Sequence, residues 1–181
     1  MSDDAKKNLK AVRNLYAAFI VSVVLQFAPY PAISVFASIL FLLVLVWAYI
    51  LRAQYGPTTL VENHATYIIR TIWIFGLFLV AGMAACAAWF YYGIDPNSLL
   101  NFSQSVQSSV ESGVMPDLSS AYLQLVKDNF DLIIFAVPLT LGPSLIYIGY
   151  RMFKGAIRGI KGYRIDQPVR FVNARDQNPA R

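Results

Sequence analysis

Charge is what this 181-residue chain has least of: 14% of its residues are Asp, Glu, Lys or Arg, against 57% hydrophobic. An ordinary soluble domain carries about 25% charged residues. The deficit excludes a conventional soluble fold, and a mean hydropathy of +0.50 makes lipid the expected solvent for much of the chain. The chain also holds one Cys and one His. That leaves almost no material for metal, redox or nucleophilic chemistry, and no metal site or cofactor is expected. There is no H-E-x-x-H, no G-x-S-x-G, no glycine-rich phosphate loop and no pair of carboxylates inside an apolar run. An enzyme is therefore not expected.

What is present is a set of long uncharged runs. Crossing a hydrocarbon core takes roughly 20 apolar residues as a helix, because lipid offers no partner to a free backbone group. Residues 71–92 and 132–150 meet that demand without a single charge. Residues 15–51 are also uncharged but too long for one crossing, and Pro29, Tyr30 and Pro31 interrupt them. Two prolines around one residue do not fit a regular helix, so the run reads as a helical hairpin of two spans. Its first arm, residues 15–28, is slightly short, and a re-entrant hairpin is the rival reading. Lys10 and Arg13 can extend the arm by snorkelling. A cleaved leader over residues 1–32 is disfavoured by Asp3 and Asp4 in its charged region and by the lack of an A-x-A site.

The expected fold is an all-α integral membrane protein. It is a four-helix transmembrane bundle that begins with the hairpin and carries amphipathic helices in its outer loop. Basic residues fix the orientation. Lys6, Lys7, Lys10 and Arg13 lie in residues 1–14, Arg52 and Arg70 bound the connection at 52–70, and eight more follow the last span in the tail at 151–181. Only Lys127 lies elsewhere, in the connection at 93–131, which has five acids and a net charge of −4. The positive-inside rule then places both termini and the middle connection in the cytoplasm, and the acidic loop outside. The implied location is a bacterial inner (cytoplasmic) membrane. The pI near 9.4 reflects anchoring to anionic headgroups, and no nucleic-acid partner is expected.

The connection reads RAQYGPTTLVENHATYIIR. Gly56 and Pro57 end one helix, and Thr59 three residues before Glu62 is a capping box that starts the next. Glu62, His64 and Arg70, with Tyr67 nearby, form a candidate interfacial polar cluster. A structural His and a snorkelling Arg are the plain reading of it. In residues 71–92 small side chains recur four apart: Ala81 with Ala85, Gly82 with Cys86, Ala84 with Ala88. Such spacing suits close helix packing, with Cys86 as a packing residue. Pro138, Gly142 and Pro143 weaken the last span at mid-depth, a kink expected in the absence of any buried charge. Gln26, the strongly polar residue of the spans, calls for an interhelical hydrogen bond.

Two segments resemble a known family. HATYIIRTIWI at 64–74 enters a span, and YRMFKG at 150–155 leads on to GYRI at 162–165. Together they resemble the signature of small bacterial four-span membrane proteins grouped with the chloroplast inner-envelope translocon subunit, a Tic-type translocon-like family. The resemblance covers about half of the chain. It implies a four-helix inner-membrane fold with both ends cytoplasmic and supplies no catalytic residues. The connection at 93–131 is longer than the family pattern.

That connection starts with Asp95 and Pro96, a good helix start. Leu99, Phe102, Val106 and Val110 share one helical face, and Leu118, Tyr122, Leu125 and Asn129 suggest a second amphipathic helix. These helices either cap the bundle or dock a partner, with Leu99, Phe102, Val106, Leu118 and Tyr122 as candidate contacts. In the tail, Arg151, Lys154, Arg158 and Lys161 share a face and are candidate contacts to anionic headgroups, while Gly155 and Gly159 offer a site of helix contact. The expected function is a non-catalytic accessory or assembly subunit of an envelope complex, partnered by another membrane or envelope protein or by a second copy. The alternative is a small transporter or channel component, for which the prolines of the last span are the best feature.

Overall fold

A computed structural model describes residues 3–112 and 118–165, among which there are six α-helices and no strand. They are α1 (Asp3–Val24), α2 (Pro31–Gln54), α3 (Leu60–Gly93), α4 (Pro96–Ser112), α5 (Leu118–Asp128) and α6 (Phe130–Lys161), with a 3-10 turn at Leu25–Phe27 after α1. Four of these elements, α1 with its 3-10 turn, α2, α3 and α6, are long and apolar enough to cross a membrane. Exposed aromatic residues mark the ends of two of them. Tyr30 just before α2 and Tyr49 near its end, and Trp73 and Tyr91 on α3, are exposed. Each pair is separated by about 27–29 Å of helical rise, close to the thickness of a hydrocarbon core, where Tyr and Trp rings settle at both interfaces.

The hairpin forms where the prolines require it. The residue before a proline is pushed out of the helical region. Ala28 (φ −66°, ψ 137°) precedes Pro29, and Tyr30 (φ −105°, ψ 119°) precedes Pro31; both are extended. Pro31 then opens α2 at a position where its missing N–H costs nothing. Gln26 and Ser38 hydrogen-bond across the hairpin at 3.2–3.3 Å, as expected of an isolated polar residue in an apolar run. Both helices overrun the uncharged interval, since α1 begins at Asp3 and α2 extends to Gln54. Charged residues with straight stems are good helix formers, so the run of hydrophobicity does not mark the end of the helix.

The chain resolves into two compact units, one from Met1–Phe75 with Tyr147–Arg181 and one from Gly76–Ile146. In the first, four helices share one apolar cluster. It includes Val12, Leu15, Phe19 and Val23 of α1, Val44, Ala48 and Leu51 of α2, Val61, Ala65, Ile68 and Ile72 of α3, and Ile148, Met152 and Ala156 of α6. In each set the spacing follows 3, 4 and 7, one face of a helix.

In the second unit, glycines on α3 set the approach to α6. A Cβ at Gly82 would lie 2.5 Å from the backbone carbonyl of Thr140, and one at Gly93 would lie 2.8 Å from Leu132. The small-residue set therefore divides. Gly82 is buried in this contact and Cys86 is half-buried, whereas Ala81, Ala84, Ala85 and Ala88 remain exposed. α6 runs through Pro138 and Pro143 as one continuous helix. Thr140 donates back to the carbonyl of Ala136 at 2.6 Å and Ser144 to that of Leu141 at 2.6 Å, so both hydroxyls are satisfied within the helix.

Candidate functional site

The densest polar arrangement is in the first unit, where the two segments HATYIIRTIWI and YRMFKG…GYRI meet. It is built from the end of α6 upward. Gly162 has φ 76°, the left-handed conformation that glycine adopts without strain. It closes α6 as a Schellman motif: Tyr163 N–H donates to the carbonyl of Arg158 at 2.9 Å, and Gly162 N–H to that of Gly159 at 3.2 Å. The turn sends residues 163–165 back toward the start of α3.

His64, fully buried in the first turns of α3, receives them. Its Nε2 lies 2.9 Å from the Tyr163 carbonyl and its Nδ1 lies 2.9 Å from the Tyr16 hydroxyl. A carbonyl only accepts, so Nε2 carries the proton. In the neutral ring Nδ1 is then the acceptor, and Tyr16 donates to it. Around this pair, Asn63 Oδ1 accepts from Ile165 N–H at 2.8 Å, Arg164 donates to the carbonyl of Thr58, and Arg158 donates to the carbonyls of Arg164 and Ile165, each at 3.2 Å.

Tyr16 is the residue this site depends on most, and the sequence reading passed over it. Its ring lies on α6 where Gly155 and Gly159 provide space. A Cβ at Gly155 would meet the Tyr16 hydroxyl at 2.5 Å, and one at Gly159 would meet the ring at 2.9 Å. The small-xxx-small pair thus marks helix contact, with an aromatic ring from α1 as the guest. The signal for Tyr16 lay far away in sequence, in the small residues Gly155 and Gly159.

One turn along, Arg151 joins the same helices. Its guanidinium carbon lies 3.7 Å from the centroid of the Tyr67 ring, and its Nε donates to Thr71 Oγ1 at 3.1 Å. Tyr67 donates its hydroxyl proton to the Arg151 carbonyl at 3.1 Å, and Thr71 donates to the Tyr67 carbonyl at 2.7 Å. Each polar side chain holds another in place, and the cation over the ring adds its own attraction.

The candidate residues fall into groups. His64 lies at the centre of the site. Glu62 is half-buried with Oε1 accepting from Thr66 at 2.8 Å, and Arg70 is exposed. The capping box forms by half: Glu62 N–H donates to Thr59 Oγ1 at 3.3 Å, while Thr59 N–H turns to the Gly56 carbonyl. Of the four tail cations, Arg151 and Arg158 are half-buried and bonded inside the unit, whereas Lys154 and Lys161 are exposed. Arg170, Arg175 and Arg181 lie outside the described residues.

In the second unit, Asp95 caps α4 by accepting from Asn97 N–H at 3.1 Å and Ser98 N–H at 3.3 Å. Buried Asn129 ties the two ends of the outer segment together. Its Oδ1 accepts from Asp95 N–H at 2.9 Å, and its Nδ2 donates to Ser98 Oγ at 2.8 Å and to the Leu125 carbonyl at 2.9 Å. α4 packs on α5. Of the candidate partner contacts, Leu99 and Tyr122 are exposed, and Phe102 and Val106 are half-buried. The side chains of Val110 and Leu118 lie outside the described set. Exposed Leu100 and Leu123 widen the apolar surface that the sequence reading assigned to Leu99 and Tyr122.

Comparison of the chain with protein-family models, with curated proteins and with solved structures finds no match.

Proposed function

We propose that this protein is a non-catalytic accessory or assembly subunit of a bacterial inner-membrane or envelope complex, with both termini and the site around His64 on the cytoplasmic side and α4–α5 outside. One observation carries the reading. The outer segment is a constructed element, pinned at both ends by Asn129, and it leaves Leu99, Leu100, Tyr122 and Leu123 exposed on two helices rich in Ser and Gln. A connection with no role of its own is normally only a few residues long. Large apolar side chains on a polar helix are the usual anchors of a protein partner. The polar site at the basic end supports the same reading, because its hydroxyls, imidazole and amide are engaged with one another or with the backbone and so act as a clamp on the fold.

The test is co-purification in mild detergent of the native chain and of the combined variant Leu99→Ser, Leu100→Ser, Tyr122→Ser and Leu123→Ser. The expected result is a variant that stays folded but loses the proteins that reproducibly accompany the native chain. A folded variant that retains all of them would end this proposal.

A further inference from the structure

We infer that Arg151 and Lys154 form a headgroup site for an anionic phospholipid, at the point where α6 leaves its uncharged run. The inference does not depend on the accessory-subunit reading. Arg151 is held by ring and hydroxyl contacts. Its guanidinium carbon lies 3.7 Å from the Tyr67 centroid and 5.9 Å from that of Tyr147, and its Nε donates to Thr71, a bond in which the two terminal nitrogens take no part. Among the described residues they meet no carboxylate and no carbonyl. A half-buried cation without a counter-ion is costly, and a planar fork of N–H donors matches the oxygens of a phosphate.

Lys154 is the neighbour three residues on, on the same side of the helix. It is exposed, and its Nζ donates to the Tyr150 hydroxyl at 3.3 Å and meets no carboxylate among the described residues. Two adjacent cations without an acid between them repel each other, and an anion seated between them removes that repulsion. Beside Lys154, α6 presents Tyr150, Phe153, Ile157 and Ile160, each more than half exposed. Spaced 3, 4 and 3 apart, they form one apolar stripe that flanks the cations. The cations stand where the uncharged run 132–150 ends, beside exposed apolar side chains, a setting that selects a phosphate joined to hydrocarbon, a phospholipid, over free phosphate.

The test uses the detergent-solubilised full-length chain and native mass spectrometry of bound lipid. Three probes are titrated separately: dioleoyl-phosphatidylglycerol, dioleoyl-phosphatidylcholine and inorganic phosphate. The native chain should retain the glycerol lipid in preference to the choline lipid, which carries a compensating positive charge. R151Q and K154Q should each weaken that retention about fivefold, the ratio corresponding to ~1 kcal/mol per basic residue at an anionic surface. Should R151Q fail to fold, K154Q decides, because Lys154 is exposed and its hydrogen bond is to the Tyr150 hydroxyl. Equal retention of phosphatidylglycerol by the native chain and K154Q would overturn the proposal. Inorganic phosphate that displaces the lipid at equal concentration would overturn the choice of a lipid ligand.

Discussion

The basic end of this protein and its helices α4 and α5 solve the same problem in opposite ways. At the basic end, buried polar side chains come from three different helices and are bonded to one another, and two glycines on α6 make room for a tyrosine from α1. At the ends of α4 and α5 two buried residues, Ser98 and Asn129, carry the buried polar contacts, and large apolar side chains are left exposed. The first region therefore specifies how its helices assemble, and a change there propagates through several partners at once. The second leaves apolar side chains that few internal contacts hold.

Gly155→Val should break the contrast most severely. Its added carbons would overlap Tyr16 and Tyr67, whose atoms would lie 2.5–2.8 Å from a Cβ at that position. Overpacking of this kind costs about 1–3 kcal/mol or more, and the expected outcome in a detergent melting experiment is loss of the folded form. His64→Ala comes next. It removes two hydrogen bonds, which average ~0.6 kcal/mol and reach ~1.7 kcal/mol between membrane helices, and it leaves a cavity besides. A drop of about 2 kcal/mol is expected, with Tyr16→Phe showing the smaller part that belongs to one hydroxyl.

Gly82→Ala and Gly76→Ala sharpen the comparison inside one helix. A methyl group at Gly82 meets the Thr140 backbone carbonyl, and one at Gly76 meets nothing within 4 Å. The first should lower the melting temperature. The second should leave it unchanged or raise it, since alanine is the better helix former by about 1 kcal/mol. The smallest effect belongs to Leu99→Ser, expected within about 0.5 kcal/mol of the native stability if its side chain serves only a partner.

Much of this was legible in the sequence, and the exceptions have physical causes. The hairpin at Pro29 and Pro31, the start of α4 after Asp95 and the turn at Gly162 follow from residues whose backbone preferences are local. The charge borders at Arg70 and Arg151 were read from separate runs, and the structure bonds the adjoining Thr71 to Arg151. Periodicity gave the shared face of Arg151, Lys154, Arg158 and Lys161, but not that half of it turns inward, because the depth of a side chain depends on which neighbouring helix covers it. Tyr16 was missed for a related reason. In a uniformly apolar run the lipid-facing and protein-facing positions look alike, and only the glycines at 155 and 159 betray a guest that lies far away in sequence.

Every part of this account that concerns sidedness rests on four crossings with the basic ends together. Cysteine accessibility in intact cells tests it most directly, with Cys86 replaced by Ala and single cysteines placed at Ala5, Gln54 and Ser108, all exposed on their helices. The account predicts that an impermeant external reagent labels position 108 alone, and that positions 5 and 54 react only after the membrane is opened. Labelling at position 54 from outside would contradict it.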